Sequence, residues 1–409
     1  MLRFACSPTG DMHIDDLRVA LLNYIISKQK NEDLIVRIDD MNKEKNIEGK
    51  DQEILAILEL FHIKYSQVVY QSQNIRFYSA MALDLLHKKK AFACFCSHEW
   101  LENKKNEAKA AKKPYKYDDA CRNLPAELVI DNTAPFTVRI ARPEQATTSD
   151  PMDSFVIMRQ DKTPTYNFAC AIDDMLSDIS IIIRKDEQKN DTAKELHVRN
   201  SLGYDKEIEY AYLPALLDTP SVKELLEDGY LPEAISNYLI STINEPLKEI
   251  FTLQKAIEWF DLGKISKTPT HFDIDILKHI NKEHLKNLEA KELSRYVGFA
   301  DEEIGELARI YLNEANTTKE LKAKIAPIFS QRVIPGMFAQ QATLMAQTIK
   351  DAPYFEAYID FKNHIMKETG LEGESFLKPL QILLTNAEHG PDVAKVYKYL
   401  KNYIQEIVK

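Results

Sequence analysis

The sequence is short of glycine, with 11 in 409 residues, well below the roughly 7% of ordinary globular chains. Neither G-x-G-x-x-G nor G-x-x-x-x-G-K-[ST] occurs, which excludes a phosphate cradle built from a glycine-rich loop. Long apolar runs are absent as well. The best of them, IVRI at 35–38 and ISIIIR at 179–184, meet a charge far short of the ~20 residues that cross a bilayer. The opening MLRFACSPTG lacks a basic stretch, an apolar run and a small-residue cleavage site, so the expected compartment is the cytoplasm. Cysteine is scarce and odd in number, at positions 6, 94, 96, 121 and 170. An odd count in a large chain without a secretion signal argues for reduced thiols rather than a disulfide framework.

What remains is a composition able to fold. Hydrophobic residues make up 44% and charged residues 28%, enough apolar material for real cores and for two to four domains. There are 53 basic against 63 acidic side chains, a net charge of −10, which by itself points away from nucleic acid. Residues 87–122 run the other way, with ten Lys/Arg against five Asp/Glu. Local positive charge attracts a phosphate backbone whatever the total, although a lysine-rich run is equally a solvated helix face.

The first seventy residues read as a βαβ opening: RFACS as a strand, LRVALLNYIISKQ as a helix, LIVRI as a buried strand and KDQEILAILELFHI as a helix. A second strand-rich region follows in FTVRIARP, DSFVIMRQ, TYNFACAIDD and DISIIIRK. The spacing thus predicts an α/β fold split by an insertion. From about Gly229 onward the pattern is helical throughout.

Between the first strand and the first helix lies Ser7-Pro8-Thr9-Gly10-Asp11-Met12-His13-Ile14. Hydroxyls and an imidazole at a helix N-terminus suit an anion, and equally make an ordinary helix cap. Seven further blocks follow in order: VRIDD, IEGKDQEIL, VYQSQN, DSFVIMRQDKTPTYNFACAIDD, LGYDKEIEYAYLPALL, GYLPEAISNYLI and SFLKPLQILLTNAEHGPD. Together these blocks resemble bacterial glutamyl-tRNA synthetase, a class I aminoacyl-tRNA synthetase, over essentially the whole chain. The resemblance implies a split Rossmann-like catalytic domain at 1–75 and 151–228 and an acceptor-stem-binding insertion at 76–150. A stem-contact helical region at 229–300 and a helical anticodon-binding domain at 301–409 complete it. The implied activity is attachment of glutamate to tRNA(Glu) or tRNA(Gln), using ATP with Mg2+, by a monomer without membrane association.

The same resemblance assigns residues. Arg3 and Arg184 are to hold the substrate carboxylates through planar guanidinium forks, with Ser7 and Tyr166 lining the pocket. Asp39 stands where the family usually has Glu, facing the substrate ammonium, and Thr9 and His13 belong to the catalytic motif. Cys94, Cys96 and Cys121 suggest a structural zinc site, with Tyr117 or a histidine such as His98 as fourth ligand. Three reduced cysteines without metal are the alternative.

The ATP side departs from the family pattern in three places. The His-Ile-Gly-His-type motif reads His13-Ile14-Asp15-Asp16, with carboxylates where glycine lets adenine lie against the backbone. After Arg184, a glycine followed by acidic residues and histidine is replaced by Lys185-Asp186-Glu187-Gln188. The loop that carries a Lys-Met-Ser-Lys-type motif is shortened by about a dozen residues, leaving Leu217-Asp218-Thr219-Pro220-Ser221-Val222-Lys223. Lys264-Ile265-Ser266-Lys267 spells the motif by letters but lies well downstream. Two functions therefore stand against each other: a working glutamate–tRNA ligase, and an inactive pseudo-synthetase that binds tRNA and glutamate.

Overall fold

Five short, largely apolar runs become five parallel strands: β1 (Leu2–Cys6), β2 (Leu34–Ile38), β3 (Gln67–Tyr70), β7 (Ile181–Lys185) and β8 (Glu209–Leu213). The computed structural model describes residues 1–143 and 152–408. It divides into two compact units, one made of Met1–Thr219, Thr242–Glu245 and Gln254–Phe272, the other of Pro220–Ser241, Pro246–Leu253 and Asp273–Lys409.

The sheet of the first unit has the order β3-β2-β1-β7-β8. All five residues of β2 are buried, as expected of a parallel strand covered on both faces. The register of β1 on β2 runs from Leu2 opposite Leu34 to Cys6 opposite Ile38. Between β1 and β7 the ladder holds only Leu2 opposite Ile181. The chain also reverses its winding there, and in a doubly wound sheet the crevice outside the strand ends at that switch is where ligands sit.

Helix α1 (Ile14–Lys30) leaves β1 through the Ser7–His13 turn and buries 13 of its 17 residues. Lys28 and Lys30 in its last turn match the negative end of the helix. The helix stops at Asn31, whose left-handed φ of 53° returns its N–H to the Ser27 and Lys28 carbonyls. Helix α2 (Lys50–Leu60) precedes β3.

Between β3 and β7 come α3 (Ile75–His87), β4 (Ala91–Cys94), α4 (His98–Ala110), α5 (Ala126–Ile130), β5 (Thr137–Ile140), β6 (Phe155–Met158) and α6 (Tyr166–Leu176). Strands β4-β5-β6 form a separate antiparallel sheet, which shares a core with α3 and α6 through Tyr78, Leu85, Ile140, Ile157, Phe168 and Ile172. The insertion expected at 76–150 ends in residues 144–150, outside the described residues. Helix α7 (Lys189–Leu202) joins β7 to β8.

One expectation is overturned here. TYNFACAIDD reads as strand from its aromatic and β-branched content, yet Tyr166–Leu176 is a helix. All seven residues from Phe168 to Asp174 are buried, so the segment is covered all round as a core helix, and tertiary burial overrides residue preference.

The second unit is helical. Helix Ile274–Asn287 caps its start with Asp273, whose carboxylate accepts from the N–H groups of Asp275 and Ile276. Helices Ala290–Tyr296 and Glu302–Tyr311 cross at Gly305, where a Cβ would lie 1.8 Å from the Ala290 carbonyl oxygen. Backbone cannot yield as a side chain does, so Gly305→Ala should cost about 3 kcal/mol, at the upper end of overpacking penalties. Gly336, with nothing within 4 Å of its Cβ position, is the control: Gly336→Ala should change stability by less than about 0.5 kcal/mol in the same denaturant titration.

Candidate active site

The carboxyl ends of β1 and β7 open onto a cavity of about 470 Å³, within the range of small-molecule sites. All seven residues assigned above to glutamate binding or catalysis, Arg3, Ser7, Thr9, His13, Asp39, Tyr166 and Arg184, line this one space. They come from five places in the chain: β1, the turn before α1, the end of β2, the start of α6 and the end of β7.

Its floor is a network of buried ion pairs. Arg3 Nε donates to Asp174 Oδ1 at 3.1 Å. Arg37 Nε and Nη2 grip the two oxygens of Asp39 at 2.7 and 3.3 Å, and its Nη1 reaches Asp174 Oδ1 at 3.0 Å. Arg184 places Nη1 and Nη2 on the two Glu195 oxygens at 3.1 and 2.9 Å. Burial penalises the Asp174 carboxylate, but Arg3 and Arg37 outweigh it and hold its pKa below the ordinary value. Asp173 is different: burial dominates and raises its pKa, although Gln71, Asn74 and Tyr78 all donate to it. Asp39, expected to face a substrate ammonium, already carries a bidentate guanidinium.

The partners Arg37, Asp174 and Glu195 were not singled out from the sequence. Arg37 and Asp174 stand in VRIDD and in the long 153–174 block, so the signal was there. Glu195 lies in the polar helix α7, where nothing local marks it.

On the other side of the cavity the two substituted motifs meet. Lys185 Nζ lies 2.9 Å from Asp15 Oδ2 and 2.7 Å from Asp16 Oδ1. Asp15 Oδ1 also receives Arg18 at 2.9 Å. Burial presses the Lys185 ammonium toward neutrality, yet Asp16 and Asp15 more than offset this and its pKa is raised. Two departures from the pattern, 170 residues apart, thus form one charge-balanced clasp. The family resemblance places adenine at this motif, on the side of the cavity that Asp11, Asp16 and Glu187 line. With Lys185 held by two carboxylates, the described side chains here offer a triphosphate no free cation.

His13 is the N-cap residue of α1, and its side chain caps nothing. Its Nδ1 lies 3.0 Å from the Thr219 carbonyl oxygen. A carbonyl only accepts, so Nδ1 carries the hydrogen of this bond. The shortened loop therefore reaches the site through its backbone. Lys223 is exposed in helix Val222–Glu227, which Ser221 and Glu224 close with a capping box. The Lys264–Lys267 segment, although well downstream in the chain, packs with the first unit. There it lines a separate hollow of about 260 Å³ with Glu209–Tyr212 of β8.

Cys94, Cys96 and Cys121 come together with their sulfurs all within 4.8 Å. Tyr117 Oη lies 3.3 Å from Cys94 Sγ and 3.4 Å from Cys96 Sγ, and Cys96 and Cys121 are 3.6 Å apart. A tetrahedron with Zn–S arms of about 2.3 Å has edges of about 3.8 Å, close to the 3.6 Å between Cys96 and Cys121, so the three sulfurs could hold a metal ion. His98 opens α4 and is exposed; of the two candidates, the Tyr117 hydroxyl is the one that lies against the sulfurs. Arg139 donates to Cys94 Sγ at 3.3 Å and stacks on the Tyr117 ring at 3.9 Å. Burial raises the Cys94 thiol, but Tyr117, the Cys96 N–H and Arg139 bring it down to about 7.

A parallel sheet with its cavity at the switch point, a turn carrying Thr9 and His13 and a helical second unit define a class I synthetase. Residues 1–279 match the family model "tRNA synthetases class I (E and Q), catalytic domain". The chain belongs to the glutamate–tRNA ligase family. It is 60% identical to "Glutamate--tRNA ligase 2" of Sulfurimonas denitrificans and 46% identical to "Glutamate--tRNA ligase 1" of Nitratiruptor sp., with all of each chain covered. Both alignments span 432 positions, which a chain of 409 residues can fill only with gaps opened in it. A solved glutamate tRNA ligase of Elizabethkingia meningosepticum, in complex with its amino acid, shares the fold. It has a TM-score of 0.82 over 100% of this chain and 98% of that one, at 22% identity. No helix among the described residues is long and apolar enough to cross a membrane.

Proposed function

We propose that this chain binds tRNA and an amino acid as its relatives' architecture implies, and that it has lost ATP-dependent activation of that amino acid. The observation that carries this reading is the clasp of Lys185 on Asp15 and Asp16 at 2.9 and 2.7 Å, set in the space adenine needs. The lysine-bearing loop that would neutralise departing pyrophosphate is reduced to the few residues ending at Ser221. Removing one transition-state cation costs about 10²–10³ in rate. Here the loop is gone and the seat is filled by side chains that hold one another. Binding of tRNA(Glu) or tRNA(Gln) by a cytoplasmic monomer goes with this reading.

A second reading, a working glutamate–tRNA ligase, is favoured by His13, held at the cavity by Thr219, and by the relatives' names. It requires Lys185 to swing from the two aspartates onto phosphate. ATP- and tRNA-dependent attachment of labelled glutamate, with total tRNA present throughout, decides between the two. No product beside measurable, salt-sensitive tRNA binding supports the pseudo-synthetase. Product that disappears in His13→Ala establishes the ligase.

We also propose that Cys94, Cys96, Cys121 and Tyr117 hold a structural zinc ion, with Arg139 offsetting part of the negative charge of three thiolates. Metal analysis of the purified chain should give one zinc per molecule. Cys121→Ser should release it and lower the melting temperature by about 5 °C or more, since binding free energy at such sites is folding free energy.

A further inference from the structure

The amino-acid half of the cavity holds three arginines, and each is already matched. Arg3 pairs with Asp174, Arg37 with Asp39 and Asp174, and Arg184 with Glu195. Three guanidiniums face three carboxylates, so this half carries no uncompensated positive charge. The nearby Lys185 is spent on Asp15 and Asp16.

Glu195 is the partner that most changes what the cavity can accept. It is fully buried, at 0% exposure, and sits behind Arg184, outside the cavity lining. Its two oxygens take one N–H from each terminal nitrogen of Arg184. Of five guanidinium donors, three remain for a ligand, but the charge that would draw a second carboxylate is cancelled. Burial raises the Glu195 pKa, and Arg184, with Arg3 adding a smaller pull, offsets only part of that rise.

An incoming α-amino acid brings an ammonium and an α-carboxylate that cancel. A side-chain carboxylate would then add a negative charge with no unmatched guanidinium left to meet it, which is costly. A carboxamide adds no charge, and its oxygen can accept from the donors Arg184 has left. We infer that Glu195 sets this cavity for an amino acid with an uncharged, hydrogen-bonding side chain, a carboxamide such as L-glutamine, and against L-glutamate. The inference rests on the proposal that this cavity is the amino-acid site; it does not depend on whether ATP is used.

Calorimetric titration of the full chain at pH 7, without ATP or tRNA, tests it. The native chain should bind L-glutamine at least about tenfold more tightly than L-glutamate, the direction set by an unpaired buried charge. Glu195→Gln should narrow or reverse that ratio by strengthening glutamate about tenfold, because Arg184 then has a charge to offer. Tighter binding of glutamate by the native chain overturns the inference without need of a variant. Weaker glutamate binding in a folded Glu195→Gln chain also overturns it, since Glu195 would then be holding Arg184 in place for a carboxylate. Binding of neither amino acid overturns it and the amino-acid-site reading together. The activation reading fails on a different result, tRNA-linked product in the presence of ATP, so the two failures are distinguishable.

Discussion

Millimolar ATP should leave the melting temperature of the native chain unchanged, while Asp15→Gly/Asp16→Asn/Lys185→Gly should gain about 5 °C under the same conditions. The gain follows from linkage: ligand at 100 times its dissociation constant stabilises by about 2.7 kcal/mol, and each kcal/mol is worth about 2–4 °C in units of this size. The triple change removes both the carboxylates and the ammonium that bridges them, restoring space and removing repulsion at once. Lys185→Gly alone is the informative control. It takes away the cation and leaves Asp16 facing the cavity, so ATP binding should remain undetectable. If the single variant also gains, bulk rather than charge closes the seat. If the native chain itself responds to ATP, the clasp opens at little cost and the ligase reading takes over. The triple variant will start from a lower melting temperature, because Arg18, only 1% exposed, loses Asp15 and keeps the Pro214 carbonyl. The shift on adding ATP is therefore the quantity to compare.

The parallel sheet was legible because burial on both faces leaves unbroken runs such as LIVRI, and the helical second half because its apolar spacing repeats at 3.6 residues. Tyr166–Leu176 was not, since its residue preferences point to strand and a helix buried all round from Phe168 to Asp174 shows no amphipathic period. At the site, the order of whole blocks brought Arg3, Ser7, Asp39, Tyr166 and Arg184 forward, and all five line one cavity. What those blocks could not convey was who already holds the arginines. Arg3 and Asp174 are 171 residues apart, Arg37 and Asp174 137. Even Arg184 and Glu195, 11 apart, span a strand end and a helix with no repeating pattern to announce the pair. That Lys185 meets Asp15 and Asp16 is shown only by the fold, since the two departures lie 170 residues apart. For the cysteines, spacing left Tyr117 and His98 open, and only the fold shows that the Tyr117 hydroxyl lies against Cys94 and Cys96.

The largest stability effect should come from Arg37. It is buried, at 2% exposure, and bridges Asp39 and Asp174. Arg37→Ala leaves the Asp39 carboxylate without its guanidinium and Asp174 with Arg3 alone. Breaking a buried pair by deleting one partner costs about 3–5 kcal/mol, or roughly 10 °C for a unit of this size. The pH dependence separates this from a simple cavity. Asp174 has a folded pKa below its unfolded value. Its contribution is thus complete above an unfolded pKa of about 3.9 and is lost as pH falls through the folded value. In Arg37→Ala one of the two cations holding Asp174 down is gone, so protonation becomes easier and relieves the unmatched charge. The gap in melting temperature between native and variant should accordingly be widest near pH 7 and narrow toward pH 4. A gap that stays constant over that range would mean that lost packing, not unmatched charge, sets the cost. The amino-acid half of the cavity would then stand without the electrostatic floor from which its ligand preference was argued.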